Sequence, residues 1–141
     1  IMSAEGQAVV TESGYIGSDD GAPFESNGAK GKVVIGGSSS VSPVMEKLIE
    51  AYKALNASVE IELQTSDSTT GMTGAMDGTL DIGMASRELK DTEIEGGLTG
   101  MAIAMDGIAV IVNPANPTED LTAENVKGIF TGEITNWDGL N

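Results

Sequence analysis

"KVVIGGSSSVSPVMEKLIEAY", residues 32–52, decides how this chain is to be read. Val33, Val34 and Ile35 form a short continuous apolar run, the pattern of a buried strand. Two glycines and three serines follow, and then "SPV", in which Pro43 suits a first helical position and Ser42 a cap. Val44, Leu48, Ala51, Tyr52 and Leu55 recur at helical spacing through Asn56. The unit is therefore strand, hydroxyl-rich turn, helix.

That unit recurs downstream. "SVEIEL" alternates at Val59, Ile61 and Leu63, which predicts a second strand; Gln64–Thr70 reads as a polar loop, and Gly71–Asp77 as a short helix with Met72, Ala75 and Met76 inward. "LDIGMAS" predicts a third strand centred on Ile82. "LTGMAIAMDGIAVIVN" holds two apolar runs split at Asp106 and Gly107, and Thr122 caps a last helix bearing Val126, Ile129 and Phe130. Strands alternating with helices predict an α/β layer structure with a mostly parallel sheet flanked by helices.

Upstream, residues 1–16 predict a helix capped by Ser3, with Glu5 in its first turn and Gly14 as its stop. Val9, Val10 and Tyr15 are expected to be buried, because so short a helix persists only when docked. Residues 17–31 carry Gly, Ser, Asp, Asn and Pro with Phe24 as the one large apolar side chain, the chemistry of a flexible linker. Residues 32–141 are left as one lobe. The first residues lack the basic cluster and apolar run of a signal peptide, and no apolar stretch approaches the roughly 18 residues that span a bilayer.

Composition narrows the function. Twenty-two acidic against seven basic residues, a net charge of −15, oppose binding to phosphate backbones and anionic lipid heads, so no nucleic-acid partner is expected. Cys and His are absent, which removes thiolate chemistry, the usual serine triad and the commonest metal ligands. "GGSSS" lacks the GK[ST] ending of a P-loop, and no G-x-S-x-G elbow occurs. Neither a catalytic centre nor a cofactor is expected.

In a parallel α/β sheet, ligands sit beyond the carboxyl ends of the strands. Three such ends here carry hydroxyls: Ser38, Ser39 and Ser40; then Ser66, Ser68, Thr69 and Thr70; then Ser86 beside Arg87. Helix N-termini present unpaired N–H groups and partial positive charge, so amides and hydroxyls can hold an oxyanion inside an acidic protein. Ser and Thr also cap helices ordinarily, and Arg87 can instead pair with Glu88 or Asp91. The acidic stretch "TEIEGG" reads as solvated loop.

"KVVIGGSSSVSPVMEKLIEAY", "STTGMTGAMDGTLDIGMASREL", "AMDGIAVIVNPANP" and "IFTGEITNWDGL", in this order, resemble the periplasmic or lipid-anchored phosphate-binding proteins of the ABC-type phosphate uptake system. The resemblance covers Lys32–Asn141. It implies one lobe of a type II periplasmic-binding-protein (Venus-flytrap) fold that binds inorganic phosphate outside the cytoplasm and delivers it to an ABC permease. It implies anion ligands at Ser39 and Ser40 in the first loop and Ser68 in the second. Ser86, followed by Arg87, stands where many members carry an aspartate that accepts a hydrogen bond from protonated phosphate. Residues 1–16 resemble the family's closing helix, here placed first, and no R-x-x-x-S-G-T loop of a second lobe is present. A piece of a tandem array, or a lobe rebuilt with its closing helix in front, would account for that order. Sulfate or molybdate binding, and a sensing module without transport, are the alternatives in function.

Overall fold

A computed structural model describes residues 1–18, 21–138 and 140. Asp19 and Asp20 of the expected linker, and Gly139 and Asn141 at the far end of the expected lobe, lie outside the described residues. The chain divides into two compact units, Ile1–Gly107 and Ile108–Asn141, so the boundary falls inside the stretch read as one lobe.

In the first unit the elements run α1 (Ala4–Glu12), β1 (Gly31–Ser38), α2 (Ser42–Leu55), β2 (Val59–Ser66), α3 (Ser68–Asp77), β3 (Ile82–Met84) and α4 (Asp91–Glu95). The sheet order is β2-β1-β3, with both pairings parallel. Val33 faces Ile61 across the ladder, Ile35 faces both Leu63 and Ile82, and Ser38 faces Ser66. The α/β reading holds. The central strand is the one whose continuous apolar run marked it as buried.

Element ends moved where side chains outcompeted the expected caps. The N-cap of α2 is Val41, not Ser42; Ser42 lies buried in the first turn, where its hydroxyl reaches Ser38 O at 3.3 Å and Thr65 Oγ1 at 2.8 Å. The expected loop Gln64–Thr70 does not exist as such: β2 continues to Ser66, and Asp67 starts α3 immediately. Met76, expected inward, is exposed, and so is Ile82 at the expected centre of its strand. "TEIEGG" is not solvated loop, because α4 forms there and buries Glu93.

Two clusters make the core of this unit. Ile35, Met45 and Met84 pack between sheet and α2, with Val33, Ile49, Ile61 and Leu63 around them. Val10 packs on Val44 and Leu48, so α1 docks on α2; Val10 is fully buried, and Val9 and Tyr15 are half-buried. The connector after α1 is bonded at several points. Phe24 meets Tyr52 edge to face, its amide donates to Glu5 at 2.7 Å, and the Ser26 hydroxyl bonds Asn56. The apolar run around Met105 forms no strand among the described residues; it makes an isolated antiparallel bridge with Ile16.

The second unit contains α5 (Ala123–Thr131). Thr122 caps it as expected, its hydroxyl accepting from the Asn125 amide at 3.1 Å while Asn125 Oδ1 accepts from the Thr122 amide at 3.0 Å. Phe130, expected on the apolar side of this helix, is 82% exposed, and the run beginning at Ile108 forms no strand among the described residues.

One close approach fixes the sheet's carboxyl end. Gly37 sits at φ +135°, a left-handed conformation that L side chains rarely adopt, and Gly71 of α3 lies directly over it. A Cβ on Gly71 would stand 2.7 Å from Gly37 Cα and 2.9 Å from both Gly36 O and Met84 O. These are backbone atoms with no rotamer to change, so α3 can reach the strands only without a side chain at position 71. Gly71→Ala is expected to cost about 1–3 kcal/mol, read in denaturant unfolding as a lower midpoint with an unchanged slope. A midpoint equal to wild type would mean that α3 does not sit this close.

Candidate functional site

The carboxyl ends of β1, β2 and β3 bring all three predicted hydroxyl clusters to one edge of the first unit. Ser38 ends β1 and is buried; Ser39 and Ser40 are exposed in the turn before α2. The Ser39 amide is committed to Ser66 O at 3.0 Å, which ties the first loop to the second. Ser40 O accepts from the Tyr15 hydroxyl at 3.4 Å, whereas the Ser40 amide has no acceptor among the described residues. That free N–H stands immediately before α2, whose first amides also lack intrahelical partners.

The start of α3 is arranged differently. Asp67, which sequence reasoning passed over, is its N-cap: Oδ1 accepts from the amides of Thr69 at 2.8 Å and Thr70 at 3.0 Å, and Oδ2 from the Thr70 hydroxyl at 2.6 Å. These bonds, the Thr70 hydroxyl foremost, hold the Asp67 carboxyl below its ordinary value. The first turn of α3 therefore already holds an anion of its own. What it still offers is Ser68, whose hydroxyl lies 3.4 Å from that of Ser86 and accepts from the Ser86 amide at 3.2 Å.

Arg87 pairs with the side chain of neither Glu88 nor Asp91, the alternative partners in its neighbourhood. Its Nη1 donates to Glu93 Oε2 at 2.9 Å and to the Glu88 carbonyl at 2.9 Å; its Nη2 donates to Glu93 Oε1 at 2.8 Å and to Thr69 Oγ1 at 3.5 Å. Glu93 is only 4% exposed and also accepts from the Lys90 amide at 2.8 Å. Hydrogen bonds from Arg87, then that amide, outweigh desolvation and lower its carboxyl from 4.5 to about 2.

Signals for both missed acids were in the sequence. An Asp directly before Ser-Thr-Thr is an N-cap pattern, and a Glu three residues after a helix start is the reaching-back half of a capping box. Among the described residues no cluster of acids is arranged to hold a metal, and no helix is long and apolar enough to cross a membrane. Two cavities, of about 360 and 300 Å³, are lined respectively by residues such as Ile111 and Trp137 and by residues such as Phe24, Tyr52 and Ile61. Neither is lined by the serine loops.

The chain folds as a lobe of a type II periplasmic-binding protein, a class that presents helix starts and strand ends to small solutes. Residues 22–140 match the family described as the PBP superfamily domain, and the chain belongs to that family. It is 54% identical over 141 residues to the phosphate-binding protein PstS 2 of Streptococcus agalactiae, covering 100% of this chain and 48% of that protein. A crystal structure of a phosphate ABC transporter, phosphate-binding protein from Streptococcus pneumoniae superposes with TM-score 0.89 at 41% identity, over 100% of this chain and 55% of that one. A Clostridium perfringens substrate-binding protein solved with bound phosphate matches with TM-score 0.64 at 48% identity, over 78% of this chain and 45% of that one. The chain thus spans about half the length of the curated relatives it matches, and the match to the S. agalactiae protein includes α1 and the connector.

The Arg87–Glu93 pair makes a pH prediction. The folded carboxyl titrates below the unfolded one, so its contribution is complete above about pH 4.5 and is lost as pH falls through about 2. The stability difference between wild type and Glu93→Gln, from denaturant melts at stepped pH, should be constant near neutrality and shrink across that window. A difference that stays flat down to pH 2 would contradict the pairing.

Proposed function

We propose that this chain binds inorganic phosphate as part of the extracytoplasmic solute-binding component of an ABC importer, and that it does no catalysis. The observation that carries the proposal is the convergence of Ser39, Ser40, Ser68 and Ser86 at one edge of the sheet, beside a free Ser40 amide and the start of α2. Ser38, Thr69, Thr70 and Arg87 complete the surroundings: Ser38 anchors the turn, Thr70 serves the cap, and Thr69 and Arg87 bond each other.

The chemistry of this set favours a small tetrahedral oxyanion. Hydroxyls and amides supply donors along fixed directions, and a hydroxyl also accepts from a protonated ligand oxygen, which hydrogen phosphate has and sulfate at neutral pH lacks. The relatives named for phosphate binding support phosphate over sulfate or molybdate. In this reading residues 32–141 form the phosphate-binding lobe, residues 1–16 its docked helix, and an ABC permease is the partner.

The 141 residues span half the length of those relatives, and in this reading they hold half of a two-sided site. An anion held on one side stays hydrated on the other, which weakens each donor. Phosphate binding by this chain is therefore expected to be on the order of millimolar. A hydrogen bond to a charged group contributes about 1.5–3 kcal/mol, so Ser68→Ala should weaken it roughly tenfold or more. Titration with phosphate at fixed ionic strength tests both points. Tight stoichiometric binding by the monomer would overturn the half-site reading, and wild-type affinity in both Ser39→Ala and Ser68→Ala would remove these loops from the site.

A further inference from the structure

Glu93 is a buried carboxylate on a five-residue surface helix, and nothing in the fold's core calls for it. Its oxygens take three donors, two from Arg87 and one from the Lys90 amide. Arg87 in turn has its four Nη hydrogens directed at Glu93 twice, at the Glu88 carbonyl and at Thr69 Oγ1. Among the described residues, only its Nε–H finds no acceptor. A guanidinium held this way is a rigid fork and not a free charge, since any direct Nη contact with an anion would require giving up one of these bonds.

The two ends of this strut decide what it does. One end is the loop after β3, in which Ser86 precedes Arg87; the other is Thr69 in the first turn of α3, next to Ser68. Ser68 and Ser86 are the hydroxyl pair at 3.4 Å. We propose that Glu93 is a positioning residue for the anion site: through Arg87 it clamps the loop after β3 onto the first turn of α3, and so fixes the Ser68–Ser86 pair for a bound oxyanion. The proposal rests on the phosphate-binding reading above and deepens it.

The same arrangement sets the charge of the site. Glu93 neutralises Arg87, and the carboxylate of Asp67 at the start of α3 adds negative charge to the guanidinium's surroundings. Recognition then depends on the direction of neutral donors more than on net attraction. Releasing Arg87 should do two things at once: loosen the hydroxyl pair, and leave a mobile cation whose attraction to any anion is screened by salt. A residue with a merely structural role would not change the salt dependence.

The test is an amide-resonance titration of the isotope-labelled 141-residue chain with inorganic phosphate, repeated at low and high salt and with sulfate. Wild type is expected to show saturable shifts at Ser39, Ser40, Ser68 and Ser86 with weak salt dependence. Glu93→Gln should keep the shifts of the α1–α2 core but bind phosphate roughly tenfold more weakly, lose preference over sulfate, and gain salt dependence. Arg87→Lys keeps the charge and loses the fork, so the same loss of affinity is expected there, and it serves as the reading if Glu93→Gln does not fold. Wild-type affinity, preference and salt dependence in the folded variants would overturn the role of Glu93 alone. Absence of any saturable shift in wild type would overturn the anion-site reading, and this inference with it.

Discussion

The backbone contact between Gly37 and Gly71 is the constraint on which the site depends. Because neither residue carries a Cβ, α3 settles against the end of β1 and the Met84 carbonyl of β3. Its first residue, Ser68, then lies beside Ser86, and its cap, Asp67, follows β2 without a loop. The Ser39 amide is pinned by Ser66 at the same edge. Three strand ends that are remote in sequence meet at one edge of the sheet because neither glycine carries a side chain there.

The electrostatics follow from that geometry. A chain of net charge −15 does not attract anions by its bulk field, so the proposed anion site relies on local dipoles. The two helix starts at the site divide the work: α3 spends its first amides on Asp67, whereas α2 leaves the Ser40 amide ahead of it open. Arg87, the cation next to Ser86, is balanced by the buried Glu93. The resulting edge is rich in hydrogen-bond donors, with its arginine balanced by a carboxylate.

Much of this was legible in the residues. The apolar run Val33–Ile35 marked the central strand, the period of Val44, Leu48 and Leu55 marked α2, and the serines marked three strand ends that the sheet brings to one edge. What escaped reading depended on competition between neighbours. Ser42 looked like a cap, but its hydroxyl is satisfied by Ser38 O and Thr65, so Val41 takes that position. Polar Gln64–Thr70 looked like loop because strand and helix there abut through one capping residue. Glu93 looked solvated because its partner, Arg87, is six residues away and the five-residue helix that carries Glu93 gives no periodic signal. In the second unit Ile108, Ile111 and Phe130 lie in apolar stretches of the sequence and yet stand exposed.

The central claim is that the three serine-bearing strand ends form one anion site. A crystal structure of this chain grown in saturating phosphate tests it most directly. One tetrahedral anion is expected within hydrogen-bond distance of Ser40 N, the Ser39 and Ser68 hydroxyls and Ser86, with Arg87 still forked on Glu93. Serine loops without density under conditions that saturate binding in solution, or phosphate held at another place in the fold, would contradict it.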